Sequence, residues 1–520
     1  MNDASQVALP ADLQDAAVKR PRPLTIYPLQ YLRAFAAFAV VLCHASYYVM
    51  QSRGDGAMWQ LFARAGGFGV VLFFAISGFL MAELATNTPP LKFLAHRLIR
   101  IYPIYWLCVA VVVVFSRLGT SPIHPDMLSL LLVPGGTRAY VLGVEWTLPF
   151  ELTFYLIVFA IIASGLRRWL PAIAVAWVVA IEVMAWWKPG LQQGQFPLLL
   201  NLPLSQFSLA FAAGLLVPKM VERGLIGPAT PWLAIAMIGC NEAGGAISPI
   251  LSSSLMGFGC VLLVAAAVNA GKKGTLHPVG YLTALGDWSY ALYLIHVPVI
   301  RALCALIPVS VPSMTLWVAA ISIPLAAAVL FGKIDLRMYK AFKSRIDHSG
   351  DRLRLGLAVV FLAIVAVVAA RSYVHVLRAR AATSDVAALA AKVEAGMGSD
   401  LARLPLAVNA AGLHADDTIK GYFDDIYLTP EGLQLQGWAA DSSPAHRSLR
   451  VLVFYCGRFA GAALVQDHRP DVAALLPAAP TADLGFNSSL HVDGRCPVPT
   501  VKALLVGNDG SYAMLQKDAR

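Results

Sequence analysis

The sequence predicts an all-α polytopic membrane bundle of about eleven transmembrane helices, followed by a small extracytoplasmic domain of β-sandwich type. Three observations predict it. Of 520 residues, 58% are hydrophobic and only 13% are charged, where a soluble domain carries about 25% charged residues. Apolar segments close to the ~20 residues of a spanning helix recur along most of the chain. From about Thr418 the texture changes to short alternating runs separated by Gly, Pro, Asp and Ser, the pattern of strands and turns.

Taken in order, residues 1–26 form a polar N-terminal tail in which Lys19, Arg20 and Arg22 precede the first apolar run. No short apolar core of a cleaved signal peptide occurs there. Eleven apolar cores follow, at about 29–50, 67–85, 99–116, 146–165, 170–187, 200–217, 230–247, 253–270, 285–307, 314–332 and 355–374. The seventh, around "WLAIAMIGCNEAGGAISPI", is the weakest, because Glu242 and several glycines interrupt it. The resulting division is a ten-helix membrane domain over 27–335, a basic loop plus the eleventh helix over 336–375, an Ala-rich linker over 376–415, and the β domain over 416–520.

Charge placement supports the count. Basic residues follow every even-numbered segment: Lys92, Arg97 and Arg100 after the second, Arg167 and Arg168 after the fourth, Lys219 and Arg223 after the sixth, Lys272 and Lys273 after the eighth. "GKIDLRMYKAFKSRIDHSGDRLR" follows the tenth. Loops after odd-numbered segments are poor in Lys and Arg. This positive-inside pattern predicts a cytoplasmic N-terminus, and an odd number of crossings puts the C-terminal domain outside. The formal net charge is +10; from Val376 onward 13 Lys/Arg face 15 Asp/Glu, a net −2, so the rest carries +12. The basicity therefore belongs to membrane loops, and nucleic acid is not expected as a partner.

Five of the seven cysteines (Cys43, Cys108, Cys240, Cys260 and Cys304) fall in apolar segments and read as small apolar residues. Cys456 and Cys496 are an even pair in the outward-facing domain, which suggests a disulfide. No His/Cys cluster has metal-ligand spacing, so no metal site is expected.

Ionisable groups within membrane segments are expensive and mark function. In "LQYLRAFAAFAVVLCHASYYVM", Arg33 and His44 stand eleven residues apart. On a continuous helix that is close to three turns, about 16 Å along one stripe. In "HRLIRIYPIYW", Arg97 and Arg100 share a helix face. Two adjacent guanidiniums suit a phosphate, although flanking arginines also serve simply to orient a helix in the bilayer. In "VEWTLPFELTFYL", Glu145 is expected at the membrane edge and solvated. Glu151 lies deeper, placed to orient a histidine, accept a proton or pair with an arginine. In "GDWSYALYLIHVPVI", Ser289 and His296 are seven apart and share a face.

These motifs, in this order, resemble acyltransferase family 3, the integral-membrane acyltransferases that modify bacterial surface and secreted sugars. "LQYLRAFAAFAVVLCH" resembles the family's first helix, with an Arg followed eleven residues later by a His. "VVLFFAISGFLM" resembles its second helix, and "HRLIRIYPIYW" its Arg-x-x-Arg followed by Tyr-Pro-x-Tyr-Trp. "EWTLPFELTFYL" resembles its Trp-Ser-Leu-x-x-Glu pattern, with Thr147 in place of the usual Ser; "FAAGLL" and "SYALYLIHVPVI" resemble later helices. The likeness covers roughly residues 24–335. Gln30 stands where the family usually has Asp, and Tyr31 where it has Gly. The tail carries no nucleophile motif of the esterase domain sometimes fused to this family; "LQGWAAD…QDHRPDVAALLP…LGF" instead resembles a small accessory β module.

The resemblance implies transfer of an acyl group, commonly acetyl, from acyl-CoA to a hydroxyl of a carbohydrate or glycolipid. The bilayer is the other partner. It implies no permanently bound cofactor; acyl-CoA is a donor substrate. On this reading His44 and Glu151 are the catalytic candidates. His44 acts as general base on the acceptor hydroxyl or first accepts the acyl group. Arg33, Arg97 and Arg100 are the candidates for binding the donor, and Tyr102, Trp146, Ser289 and His296 for contacting substrate. The expected location is the bacterial inner (cell) membrane. The rival class is a transporter or flippase, whose paths are also marked by intramembrane charge; internal repeats of that class are not evident in the sequence.

Overall fold

The computed structural model of the 520-residue chain describes residues 26–117, 127–133, 141–187, 201–274, 278–398, 400–429, 432–444, 447–466, 469–473, 476, 483–490, 492 and 501–517. Nine helices among these are long and apolar enough to cross a membrane. The chain begins with α1 (Tyr27–Arg53), and after a short turn of helix at Ala57–Phe62 come α2 (Ala65–Asn87) and α3 (Pro90–Ser116). A 3₁₀ turn at Glu145–Thr147 leads into α4 (Leu148–Ala163), followed by α5 (Leu170–Trp187). The later long helices are separated from these by four short ones: α6 (Leu209–Gly214), α7 (Val217–Glu222), α8 (Thr230–Gly239) and α9 (Asn241–Ile247). Then come α10 (Pro249–Lys272), α11 (Gly280–Leu306), α12 (Ser313–His348) and α13 (Asp351–Met397).

The sixth and seventh apolar segments are thus broken rather than single helices. Around the sixth, Pro203 and Pro218 cannot donate to a preceding turn, and the hydroxyl of Ser205 caps a fresh start by accepting from Phe207 N–H at 3.3 Å; the seventh is divided at Cys240. The basic stretch after the tenth segment is not a loop as far as His348. Its Lys, Arg, Ala and Met residues are good helix formers, and α12 continues through them until Ser349 and Gly350. Glu145 is also not solvated: it is fully buried, its carboxylate accepting from Leu142 N–H at 2.8 Å and Val144 N–H at 3.0 Å. The carboxylate closes the turn before α4 upon itself, which satisfies two main-chain donors in an apolar setting.

Two glycine crossings fix the bundle around the site. A methyl added at Gly78 of α2 would lie 2.2 Å from Phe211 O, and one at Gly214 of α6 would lie 2.5 Å from Ala75 O. The two backbones therefore touch where the "ISGFL" and "FAAGLL" motifs meet. Gly286 of α11 likewise abuts Gln30 of α1, whose carbonyl would be 2.3 Å from an added methyl. The aromatic motif of α3 has a mechanical role. Tyr105 OH donates to Ser129 O at 2.8 Å, Trp106 Nε1–H to Leu130 O at 2.9 Å, and Tyr102 OH to Leu131 O at 2.8 Å. Three successive carbonyls of a connecting segment are thereby held against the helix.

The C-terminal domain is a two-sheet β structure. Its strands are β1 (His414–Ala415), β2 (Ile419–Thr429), β3 (Gly432–Asp441), β4 (Leu449–Tyr455), β5 (Arg458–Leu464), β6 (Gly485–Leu490), β7 (Val501–Gly507), β8 (Ser511–Met514) and β9 (Gln516–Lys517). One sheet runs β1-β8-β7-β4-β5 and the other β6-β3-β2-β9. Pairing is antiparallel except for the short parallel pairs β1–β8 and β2–β9. The Ala-rich stretch from residue 376 is helical to Met397, and Val386, Ala390 and Val393 pack with Leu452, Phe454 and Leu504 on the outer face of the five-stranded sheet. That sheet is buried on both faces, so β4 reads "LRVLVFY" as a nearly continuous apolar run instead of a strict alternation. Cys456 is disulfide-bonded; Cys496, its expected partner, lies outside the described residues.

Candidate active site

The helix crossings converge on a cavity of about 150 Å³ inside the bundle. Its charged lining comprises Arg33 from α1, Arg97 and Arg100 from α3, and Glu151 from α4. Hydroxyls of Ser77, Thr147, Tyr155, Ser289, Tyr290 and Tyr293 complete the polar part, and Phe73, Phe74, Leu80 and Met81 of α2 supply an apolar wall. Arg33, Arg97, Arg100, Glu151 and Ser289, expected to serve the site, are therefore brought together.

The three arginines are held differently. Arg100 is already paired: its Nη1 lies 2.7 Å from Oδ2 of Asp335, a buried carboxylate of α12, and its guanidinium stands 5.0 Å from the Tyr290 ring centroid. Arg33 donates to the amide oxygen of Gln30 at 3.2 Å. A neutral amide at Gln30 orients the guanidinium without neutralising it. Arg97 lies over the Tyr155 ring at 5.7 Å, and its Nε is buried with no hydrogen-bond partner. Among the described residues neither Arg33 nor Arg97 has a carboxylate within ion-pair distance. An unsatisfied guanidinium N–H in a cavity with more cations than anions suits a phosphate or pyrophosphate.

Glu151 accepts from Tyr155 OH and bonds to neither histidine. Of the roles open to it in the sequence, orienting a histidine is not the one the geometry gives. Tyr102, bound to Leu131 O, does not line the cavity, and Trp146 packs against Phe150 and Phe207 at centroid distances of 6.2 and 5.4 Å. Ser289 lines the cavity while donating to Gly286 O at 2.7 Å.

Beyond Ser289, α11 carries Tyr293 and then His296, successive turns of one face. Tyr293 lines the cavity, donates to Val144 O at 2.8 Å and shares a hydrogen bond with Thr147 at 2.8 Å. Its ring is 5.9 Å from that of His296. The His296 imidazole is fully buried and meets His44 of α1: Nε2 of His296 is 3.2 Å from Nδ1 of His44, with the rings edge to face at 5.0 Å. The partner that His44 finds is thus a second histidine and not Glu151, for which orienting a histidine was one of three open roles. Nothing in the sequence links the two histidines, because pairing across 252 residues depends on the α1–α11 contact at Gly286. Asp335 was also missed. It is one of three acids in a stretch whose basic charge dominates, and only the continuation of α12 turns it toward Arg100. The charge pattern of "KIDLRMYK" was the available signal.

Fold and site together define a polytopic membrane protein whose bundle encloses a cationic cavity beside a pair of touching imidazoles. Residues 26–333 match the acyltransferase domain of acyltransferase family 3, and the chain belongs to that family. It is an acyltransferase. It is 30% identical over 254 residues to the exopolysaccharide production protein ExoZ of Rhizobium meliloti (strain 1021), covering 44% of this chain and 75% of that protein. It is 27% identical over 315 residues to the acyltransferase MdmB of Streptomyces mycarofaciens, covering 54% of this chain and 80% of that one. No solved structure matches it.

Proposed function

We propose that this protein transfers an acyl group, with acetyl the expected one, from a coenzyme A thioester to a hydroxyl of a carbohydrate. The observation that carries the reading is the unsatisfied Nε–H of Arg97 in a cavity rich in arginine, whose lining residue Tyr293 stands 5.9 Å from the His296 ring that meets His44. Arg33 and Arg97 hold the donor's phosphates, and Arg100, steadied by Asp335, adds its charge. His44 is the general base: its Nε2 takes the proton as the acceptor oxygen attacks the thioester carbonyl, and the thiolate leaves and recovers that proton. The name of ExoZ, an exopolysaccharide production protein, supports a glycan acceptor.

The orientation belongs to the same proposal. Basic connections face the cytoplasm, where acyl-CoA is found, and the β domain lies outside the bacterial inner (cell) membrane. Nine long helices among the described residues, or eleven crossings if the two broken segments also span, are both odd numbers. Either count supports a β domain on the side opposite the N-terminus.

The test is acyl transfer from labelled acetyl-CoA by purified protein and by His44→Ala, together with glycan masses of cells containing each. The expected result is donor consumption and an added 42-dalton acetyl on a surface glycan, both lost in His44→Ala although the variant inserts normally; the mass follows from acetyl replacing a hydroxyl hydrogen, and is about 42. Wild-type transfer by His44→Ala removes histidine from the role of base. Glycan translocation without donor consumption favours a flippase.

A further inference from the structure

The geometry points to His296 as a positioning residue for His44: we infer that its Nε2 accepts a hydrogen bond from the Nδ1–H of His44 and thereby leaves Nε2 of His44 as the one basic atom of the pair. The inference rests on the general-base reading above and extends it to a second residue and to particular ring atoms.

Main-chain carbonyls settle the tautomers. Nδ1 of His44 lies 3.0 Å from Val40 O, and Nδ1 of His296 lies 3.1 Å from Leu292 O. A carbonyl oxygen only accepts, so each Nδ1 carries hydrogen. The proton on Nδ1 of His44 then lies between two acceptors, Val40 O and the lone pair on Nε2 of His296 at 3.2 Å. A hydrogen on that Nε2 would point at the one on Nδ1 of His44, so His296 is held neutral. Both nitrogens of His296 are therefore used, and with its ring fully buried it has no atom left for substrate. Among the described residues, Nε2 of His44 has no hydrogen-bond partner, and His44 is only half-buried.

A neutral partner suits the location. A carboxylate in the place of His296 would add a charge at membrane depth, with a large desolvation cost. Imidazole supplies the acceptor without that charge. When Nε2 of His44 takes a proton, the Nδ1–H is already held by two acceptors, and no group has to turn to receive it.

The test uses diethyl pyrocarbonate, which acylates an accessible unprotonated imidazole nitrogen: Nε2 attacks a carbonyl carbon, the ring becomes carbethoxylated, and ethanol and carbon dioxide leave. Full-length protein in detergent is treated at fixed pH, and modification is quantified by peptide mass spectrometry. His44 is expected to react and His296 not. In His296→Asn, whose amide sits where Nδ1 sits and cannot reach His44, the His44 rate is expected to fall about tenfold, the lower end for loss of a residue that orients a functional imidazole. In His296→Gln, whose amide oxygen falls near the Nε2 position, it is expected to return to within about threefold of the parent. Equal His44 rates in the Asn and Gln variants would overturn the inference, and so would reaction at His296 ahead of His44. The readout needs neither donor nor acceptor. Acyl transfer retained by His44→Ala would end the general-base reading, whereas wild-type labelling in His296→Asn would end only the role of His296.

Discussion

At the scale of residues, the site separates arginines that the sequence makes look equivalent. Arg100 is committed to Asp335, whereas Arg97 keeps an unpaired N–H in the cavity. Replacing Arg97 with Ala should raise the KM for the acyl donor about ten- to a hundredfold, as expected for loss of a charge-assisted bond of roughly 1.5–3 kcal/mol. The acceptor KM should stay nearly unchanged. Lys should recover only part, because a point charge cannot reproduce the guanidinium fork. Arg100→Ala should act first on folding, since it strands the buried Asp335 carboxylate at a cost of about 3–5 kcal/mol. Yield should then be restored by adding Asp335→Asn. Donor titrations on equal amounts of each purified variant, with yields recorded, check both statements. An unchanged donor KM in Arg97→Ala would refute the phosphate contact.

At the scale of elements, the motifs divide into those that touch the cavity and those that shape it. Gly78 and Gly214 let α2 and α6 meet backbone to backbone, and the aromatic residues of "YPIYW" hold a connecting segment by its carbonyls. Gly78→Val should force α2 away from α6, because the clash is with the Phe211 carbonyl and not with a flexible side-chain tip. Overpacking of this kind costs about 1–3 kcal/mol or more. The thermal unfolding midpoint in detergent should fall accordingly, with transfer activity falling alongside, since Ser77 and Met81 line the cavity from the same helix. A variant of unchanged midpoint would show that the crossing tolerates separation.

At the scale of the whole molecule, α13 joins the two parts. Its 47 residues extend about 70 Å, longer than a bilayer is thick, so the helix leaves the membrane segment and seats its far end on the five-stranded sheet. For the proposed orientation, a cysteine at Asn508, in the exposed β7–β8 turn, should react with an impermeant thiol reagent added outside intact cells. One at Ser344, exposed on α12, should not. Equal labelling at both positions would exclude it.

The β domain should also be sensitive to acid. Arg447 donates to Asp441 at 2.9 Å, to Asp416 at 2.7 Å, to Thr418 at 2.8 Å and to Asp509 at 3.2 Å. The Thr418 hydroxyl and N–H, then Arg447, hold Asp416 down to about 2. The Ser511 hydroxyl and N–H, with Arg447 adding less, hold Asp509 down to about 2. Arg447 foremost lowers Asp441 as well. Carboxylates depressed by folding contribute stability above their unfolded value near 3.9 and lose it as pH falls through the folded value. Pepsin should therefore begin to cut the region 416–517 as pH drops from about 4 to about 2. In Arg447→Met, cutting should already occur near pH 4; identical profiles would remove the cluster from the account.

Membership of the membrane class, the positions of most spanning helices and the arginines of the cavity were legible in the sequence. Hydrophobic length and charge placement are local properties, and a bilayer imposes them directly on the chain. The breaks at Pro203 and Pro218 were legible in principle but were masked by average apolarity. What only the tertiary structure decided is pairing between helices: His44 with His296 and Arg100 with Asp335. Each joins residues whose partner depends on how two helices rotate and slide against each other. That is set by close contacts such as Gly286 against Gln30, where a single methyl would separate the backbones. Hydropathy places a residue at a depth in the membrane; the packing of neighbouring helices decides what it meets there.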